Sequence, residues 1–175
     1  MPLTIYDVLD TTVKIGLSAL ISGVATYRIT RLTHSNEMEK SRNNRKRELL
    51  EDISSQVEEC SNATLKYWAY MIEYVRCVDR KLAISDDLKA KIDGASKELF
   101  DKFSHLSSAE GKLILIGADA AQVLTREYGE YIKEFRRSAW QGNSSLTEEN
   151  LDGHRETILS KRKALYSELR QLYEK

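Results

Sequence analysis

The feature that most constrains this chain is its near lack of residues that interrupt helices. Of its 175 residues, one is proline, at position 2, and eight are glycine. Proline breaks a helix because it lacks a backbone N–H and clashes with the preceding turn, and glycine costs roughly 1 kcal/mol relative to alanine. Strong helix formers such as Leu, Ala, Glu, Lys and Arg are abundant. The sequence therefore predicts an all-α protein with long helices.

A helix predicted from Ser35 to about Ala83 carries an apolar stripe in its second half. Eight positions recur at alternating steps of four and three, which is the heptad spacing of a helical seam. They are Ile53, Val57, Cys60, Thr64, Tyr67, Met71, Tyr74 and Val78. Cys60 and Thr64 are poor seam residues, so the stripe predicts one face of a helical bundle rather than a self-sufficient coiled coil.

Three further helices are predicted from capping signals and apolar spacing. Ser85 is an N-cap for a helix that ends near position 106, and Ser107 with Glu110 forms a capping box that opens the next helix. Thr147 precedes the last helix, whose leucine and isoleucine residues recur every seven positions. The predicted fold is an N-terminal apolar helix followed by an antiparallel, coiled-coil-like four-helix bundle.

The N-terminal apolar helix is predicted within the stretch TTVKIGLSALISGVATYRITRLTH, which begins at Thr11. Residues 13–29 fall short of the roughly 20 apolar residues of a full span, and Lys14 must reach the headgroups from one end. Two interpretations remain open: a membrane-spanning helix, or the most buried helix of a soluble bundle. A cleaved export signal is disfavoured because two aspartates, rather than early positive charge, precede the segment.

Small and hydroxyl-bearing side chains lie along one side of this apolar helix. They are Ser18, Ala19, Ser22, Gly23 and Thr26. In a membrane, such a face allows close backbone approach and hydrogen bonds between helices. It therefore predicts helix–helix association and a homo-oligomer. In a soluble bundle the same face would be the side that meets solvent.

The net charge is zero, but positive charge is concentrated directly after the apolar segment. Residues 28–47 hold seven bases and two acids, whereas residues 48–175 carry a net charge of −4. Bases beside a membrane span bind anionic headgroups, at roughly 1 kcal/mol each. The residues predicted to contact an anionic membrane surface are Arg28, Arg31, Arg42, Arg45, Lys46 and Arg47.

Two other interpretations of the basic residues compete with contact to a membrane surface. They precede a heptad seam, as in basic-leucine-zipper proteins, but the base-reading asparagine and its spacing to zipper leucines are absent, which disfavours nucleic acid as a partner. The remaining interpretation is that the bases form only the solvated start of a long helix.

The sequence shows no pattern typical of catalysis or metal binding. His34, His105 and His154 are scattered, and none belongs to an HExxH motif or to a carboxylate-rich ExxH pair. There is no glycine-rich phosphate loop and no GxSxG motif. Cys60 and Cys77 form no CxxC motif, and on one helix they would be roughly 25 Å apart, too far for a disulfide. We therefore predict no catalytic residue, no metal and no cofactor.

These patterns lead to one functional expectation and two alternatives. Residues 1–33 are predicted to be a single-pass anchor in the inner or plasma membrane, and residues 34–175 a cytoplasmic helical domain, because the bases lie on its side of the span. The protein would act by binding and self-association, as a scaffold, sensor or effector subunit with an unidentified protein partner. The first alternative is a wholly soluble five-helix bundle that serves as an adaptor, inhibitor or structural protein, and an enzyme comes third.

Overall fold

The chain is all-helical in a computed structural model that describes the backbone of residues 5–174 and the side chains of residues 26–28, 30, 31 and 37–174. Helices make up 87% of the chain, and no strand occurs in the described residues. The elements are α1 (Ile5–Asp79), α2 (Asp86–Leu115), α3 (Asp119–Ser138) and α4 (Glu148–Glu174). The prediction of an all-α protein is confirmed, and α1 covers both the predicted apolar segment and the first helix of the bundle.

Two of the predicted helix starts are confirmed by their side-chain caps. The Ser85 hydroxyl accepts a hydrogen bond from the backbone N–H of Leu88 at 3.1 Å, and two aspartates occupy the first turn of α2. The Thr147 hydroxyl accepts one from the backbone N–H of Asn150 at 3.1 Å. Each cap satisfies a backbone donor that has no partner within the helix.

The predicted helix start at Ser107 and Glu110 is wrong, because α2 continues through these residues to Leu115. The chain turns instead at Gly117, whose φ is +68°, a value that glycine adopts without strain. The Gly117 N–H donates to the Ile114 carbonyl at 3.0 Å, and the Ala118 N–H donates to the Leu113 carbonyl at 2.9 Å. This pair of bonds is the Schellman motif that commonly ends helices.

The structure divides into two compact units, residues 1–45 and residues 46–175. In the second unit α1 and α2 run antiparallel, since Lys66 pairs with Glu98 at 2.7 Å and Glu59 with Lys102 at 2.6 Å. The ion pair between Glu110 and Arg126, at 2.8 Å, joins α2 to α3.

The last helix packs against α1 as well as α3, which completes the bundle. The Trp68 indole N–H donates to the Leu151 carbonyl at 2.7 Å, and the Tyr166 hydroxyl donates to the Ser54 carbonyl at 3.0 Å. These two contacts show that α1 and α4 also run antiparallel. Residues 46–175 therefore form a four-helix bundle in which each helix lies beside two antiparallel neighbours.

The heptad seam of α1 lies in the centre of this bundle. Five seam residues are fully buried, and a sixth, Tyr67, is 3% exposed. The five are Ile53, Val57, Cys60, Thr64 and Met71. The burial ends towards the C-terminus of α1, where Val78 is 49% exposed. The predicted seam is therefore confirmed over its first six positions.

We expect the bundle to fold without the N-terminal unit. Every buried apolar side chain among the described residues lies between Leu50 and Leu169. Fragments 46–175 and 34–175 should both unfold cooperatively on heating, with melting temperatures that agree within about 4 °C, a shift of roughly 1 kcal/mol for a domain of this size. Circular dichroism during heating measures both melting curves. A broad, non-cooperative melt for 46–175 beside a sharp one for the whole chain would contradict this expectation.

Candidate functional site

The basic segment, residues 28–47, exposes side chains on every side of the helix. All described side chains from Glu37 to Arg47 are exposed, except that of Lys46, which is partly buried. Arg28 and Arg31 are exposed as well. Successive residues of an α-helix are rotated by about 100°, so a run of this length covers the full circumference. The described part of this segment therefore has no buried face of its own.

The seam of α1 explains why the core does not extend into the basic segment. Continuing the heptad steps from Ile53 towards the N-terminus gives Leu50, then Lys46, Asn43 and Glu39. Leu50 is 2% exposed and is the first buried residue of the described chain. Burying the next three polar or charged side chains without partners would cost several kcal/mol. The core therefore begins at Leu50.

Five of the six residues predicted to contact an anionic surface share one side of α1. The rotation per residue places them within about 100° of one another, along roughly 27 Å of helix. They are Arg28, Arg31, Arg42, Arg45 and Lys46. We call these five residues the basic stripe. The spacing places positive charge on a single elongated surface, which is the arrangement that an extended anionic partner requires.

Arg47, the sixth predicted residue, belongs to the bundle as well as to the basic segment. Its guanidinium lies over the Tyr173 ring, 5.6 Å from the centroid, which is a cation–π contact with α4. No local pattern in the chain predicts this contact. Substitution of Arg47 would therefore affect packing together with charge, which makes it a poor residue for testing surface binding.

The predicted helix-association face lies largely outside the described side chains. The backbone at Ser18, Ala19, Ser22 and Gly23 is helical, but their side chains are outside the described residues. Thr26 is described and is exposed. The association face therefore stays a prediction. Within the part of the chain that the structure describes, no helix is long and apolar enough to span a lipid bilayer.

A second candidate site is a polar cleft of about 490 Å³ beside the α3–α4 loop. His154 projects from α4, and its Nδ1 lies 2.9 Å from the Tyr131 hydroxyl. Its Nε2 lies 3.2 Å from Oγ of Ser138, the last residue of α3. The ring also packs 5.2 Å from that of Phe135, measured between centroids. The sequence did not single out Ser138, because it meets His154 only across two helices.

A serine beside an imidazole is the arrangement of a nucleophile and its general base, but here the surroundings oppose that chemistry. The Ser138 hydroxyl lies 2.9 Å from the Phe135 carbonyl, to which it donates its proton. It also lies at the C-terminus of α3, the negative end of the helix dipole, which disfavours a developing oxyanion. The partner of Nδ1 is a tyrosine hydroxyl rather than a carboxylate. The cluster is therefore suited to joining α3 to α4.

Burial lowers the pKa of His154, because removal from water disfavours the charged ring, and nearby Glu134 partly offsets the effect. The neutral ring has one donor and one acceptor nitrogen. Since the Ser138 hydroxyl donates elsewhere, we infer that Nε2–H donates to Ser138 and that Nδ1 accepts from Tyr131. Protonation of Nδ1 would reverse the second bond, because Nδ1–H would then donate to the Tyr131 oxygen.

The remaining reactive side chains of the described residues form no further site. No group of three His, Cys, Asp or Glu side chains converges there to hold a metal ion. Both cysteines are free thiols, and burial raises the pKa of Cys60 to about 12. A thiol with that pKa stays protonated at neutral pH and is a poor nucleophile.

Comparisons with protein-family models, with curated proteins and with known solved structures found no match to this chain. The two candidate sites are therefore supported by their geometry alone. The hydrogen-bonding groups of the His154 cluster contact one another, whereas the basic stripe directs its charge outwards. The stripe is the better candidate for contact with another molecule.

We expect the His154 cluster to make stability depend on pH. As pH falls below about 6.5, the unfolded chain binds a proton at His154 more readily than the folded chain does, so the free energy of unfolding falls. The melting temperature should decrease between about pH 7 and pH 5, and His154→Gln should reduce that decrease. The matched control, His105→Gln, should retain it. An unchanged pH profile in His154→Gln would contradict the assignment.

Proposed function

We propose that the protein is a membrane-anchored helical protein that acts by binding and self-association rather than by catalysis. In this proposal the N-terminal segment holds the chain at the inner or plasma membrane, the basic stripe contacts anionic headgroups, and the bundle serves as a cytoplasmic scaffold, sensor or effector subunit. The observation that supports it most directly is the basic stripe, in which four of the five bases are exposed, followed by a bundle region of opposite net charge.

The size of the stripe is consistent with reversible membrane binding. At roughly 1 kcal/mol for each base near an anionic leaflet, five bases supply about 5 kcal/mol before screening. Arg28, Arg31 and Arg42 make no ion pair within the described residues, so no internal carboxylate competes for them. Residues 48–175, with a net charge of −4, would be repelled by the same surface. The segregation of charge favours contact through the basic segment.

A membrane surface is favoured over nucleic acid because of where the bases lie. They follow an apolar segment directly, and the acidic remainder of the chain would oppose the approach of a polyanion from most directions. The base-reading asparagine of basic-leucine-zipper proteins, and its spacing to zipper leucines, are absent as well.

The first test compares two fragments on lipid vesicles. Fragment 26–175 keeps the whole basic segment without the apolar residues before it, whereas fragment 46–175 loses five of the seven bases. We expect 26–175 to cosediment with vesicles that contain phosphatidylserine and not with pure phosphatidylcholine vesicles. Binding should weaken with added salt, since charges are screened over about 8 Å at physiological ionic strength. Fragment 46–175 should bind neither type of vesicle.

Charge-reversal variants of fragment 26–175 distinguish the effect of where the bases lie from the effect of the total charge. Arg28, Arg31 and Arg42 are exposed residues of the basic stripe, and changing all three to Glu should weaken vesicle binding at least about 100-fold. The matched control changes three exposed bases of the bundle region, Arg80, Lys97 and Lys163, to Glu. The control alters net charge equally and should bind much more tightly than the first variant. Equal loss in both variants, or binding to duplex DNA instead of vesicles, would contradict the proposal.

Self-association through the small-residue face is the second part of the proposal. Ala19→Leu with Gly23→Leu would block close backbone approach, so we expect a smaller oligomer by sedimentation in mild detergent. Val13→Leu with Val24→Leu also introduces two leucines, but on the opposite side of the helix, and should leave the oligomer unchanged. If both variants sediment like the unmodified chain, the face plays no part in assembly.

The soluble alternative is supported by a different observation. The bundle formed by residues 46–175 holds every buried apolar side chain of the described residues, so we expect it to fold without a membrane. An adaptor, inhibitor or structural protein built on it would bind partners through the bundle surface. Failure of fragment 26–175 to bind either type of vesicle would favour this alternative.

A further inference from the structure

A groove of about 300 Å³ between α2 and α3 combines an apolar floor with a basic rim. Leu99 and Ile132 line this groove and are almost completely buried. Phe103 lies beside them, and Phe100 stands at the edge with 64% of its surface exposed. An exposed phenylalanine next to an open apolar cleft is typical of a site that a partner covers.

The rim of this groove is formed by cations that contact the aromatic rings. Arg136 lies over the Phe100 ring at 5.4 Å, and Lys133 lies over the Phe103 ring at 5.2 Å, measured to the centroids. Arg137 completes the same edge. Aromatic and arginine side chains together are the residues on which binding energy in protein interfaces most often depends.

The positive charge at the rim is incompletely neutralised within the chain. Lys133 pairs with Glu130 at 2.7 Å, but Arg136 and Arg137 make no ion pair with any carboxylate in the described residues. Several bases elsewhere on the bundle are paired across helices, as Lys66 is with Glu98. The last turn of a helix favours positive charge, which accounts for arginine there but not for the exposed ring of Phe100.

We propose that this groove binds an acidic amphipathic helix of a partner protein. Apolar residues of that helix would cover Phe100 and enter the cleft over Leu99, and its carboxylates would pair with Arg136 and Arg137. Two features point to this occupant. The guanidinium groups are planar donors that match carboxylates bidentately, and a cleft between two antiparallel helices offers the elongated shape into which a third helix packs. The inference does not depend on membrane anchoring.

The binding test uses the full-length chain, in buffer or in phosphatidylcholine nanodiscs, whichever keeps it monodisperse. The probes are fluorescent helical peptides that carry leucine, phenylalanine or tryptophan at i, i+4 and i+7, flanked by glutamate. The matched probes carry lysine in place of glutamate, and scrambled peptides control for composition. We expect at least one acidic peptide to bind saturably and at least about tenfold more tightly than its lysine counterpart.

Variants at the groove establish where the peptide binds. Phe100→Ala should weaken binding at least about tenfold, and Arg136→Glu with Arg137→Glu should reverse the preference so that the lysine peptide binds more tightly. A misfolded protein would not produce such a reversal. Leu115→Ala removes a side chain that is 83% exposed elsewhere on α2, and it should leave binding unchanged.

Three outcomes would overturn the proposal. The first is that no acidic peptide binds below about 1 mM, a limit near the weakest interaction with a measurable role. The second is that acidic and basic peptides bind alike. The third is that dodecanoate, an anionic amphiphile with no helix, binds at Phe100 and is not displaced by any peptide, which would assign the groove to a small ligand.

Discussion

The change from polar to apolar residues along the α1 seam is the constraint on which the rest of the structure depends. From Ile53 to Met71 the seam is buried against all three other helices, and the buried contact between Ser61 and Tyr128, at 2.9 Å, joins α1 to α3. Upstream, Lys46 and Asn43 occupy the equivalent heptad positions, and no core forms around them because their desolvation would have no compensation. One helix thus provides both the centre of the bundle and an exposed basic segment.

Helix starts and stops show which parts of the fold a sequence can predict. Ser85 and Thr147 were predicted because capping is local: the hydroxyl, the first turn and the donor lie within four residues. Ser107 with Glu110 carries the same local signal inside α2, where burial of Ala109 and Leu113 stabilises the helix beyond it. Local capping is worth about 1 kcal/mol and burial of a leucine about 2 kcal/mol, so packing decides the outcome.

The candidate sites differ in how far the sequence alone predicts them. The basic segment was predicted because its charges lie close together in the sequence, so their clustering does not depend on how the other helices pack. The His154 cluster and the groove at Phe100 were not, since each joins residues that are far apart in sequence and meet only when the register of two packed helices is known. For the same reason the contact of Arg47 with Tyr173 could not be foreseen, and it distinguishes Arg47 from the five residues of the basic stripe.

The basic stripe and the groove both present positive charge, yet their surroundings suit different partners. Around the stripe nearly every described side chain is exposed, so its charges stay hydrated and act over distance. Such binding is weakened strongly by salt. At the groove, Arg136 lies on the Phe100 ring above an apolar floor, where a bound partner would exclude water and strengthen each charged contact. Under the two proposals, a protein partner held in the groove should therefore persist at an ionic strength that releases the basic stripe from an anionic surface.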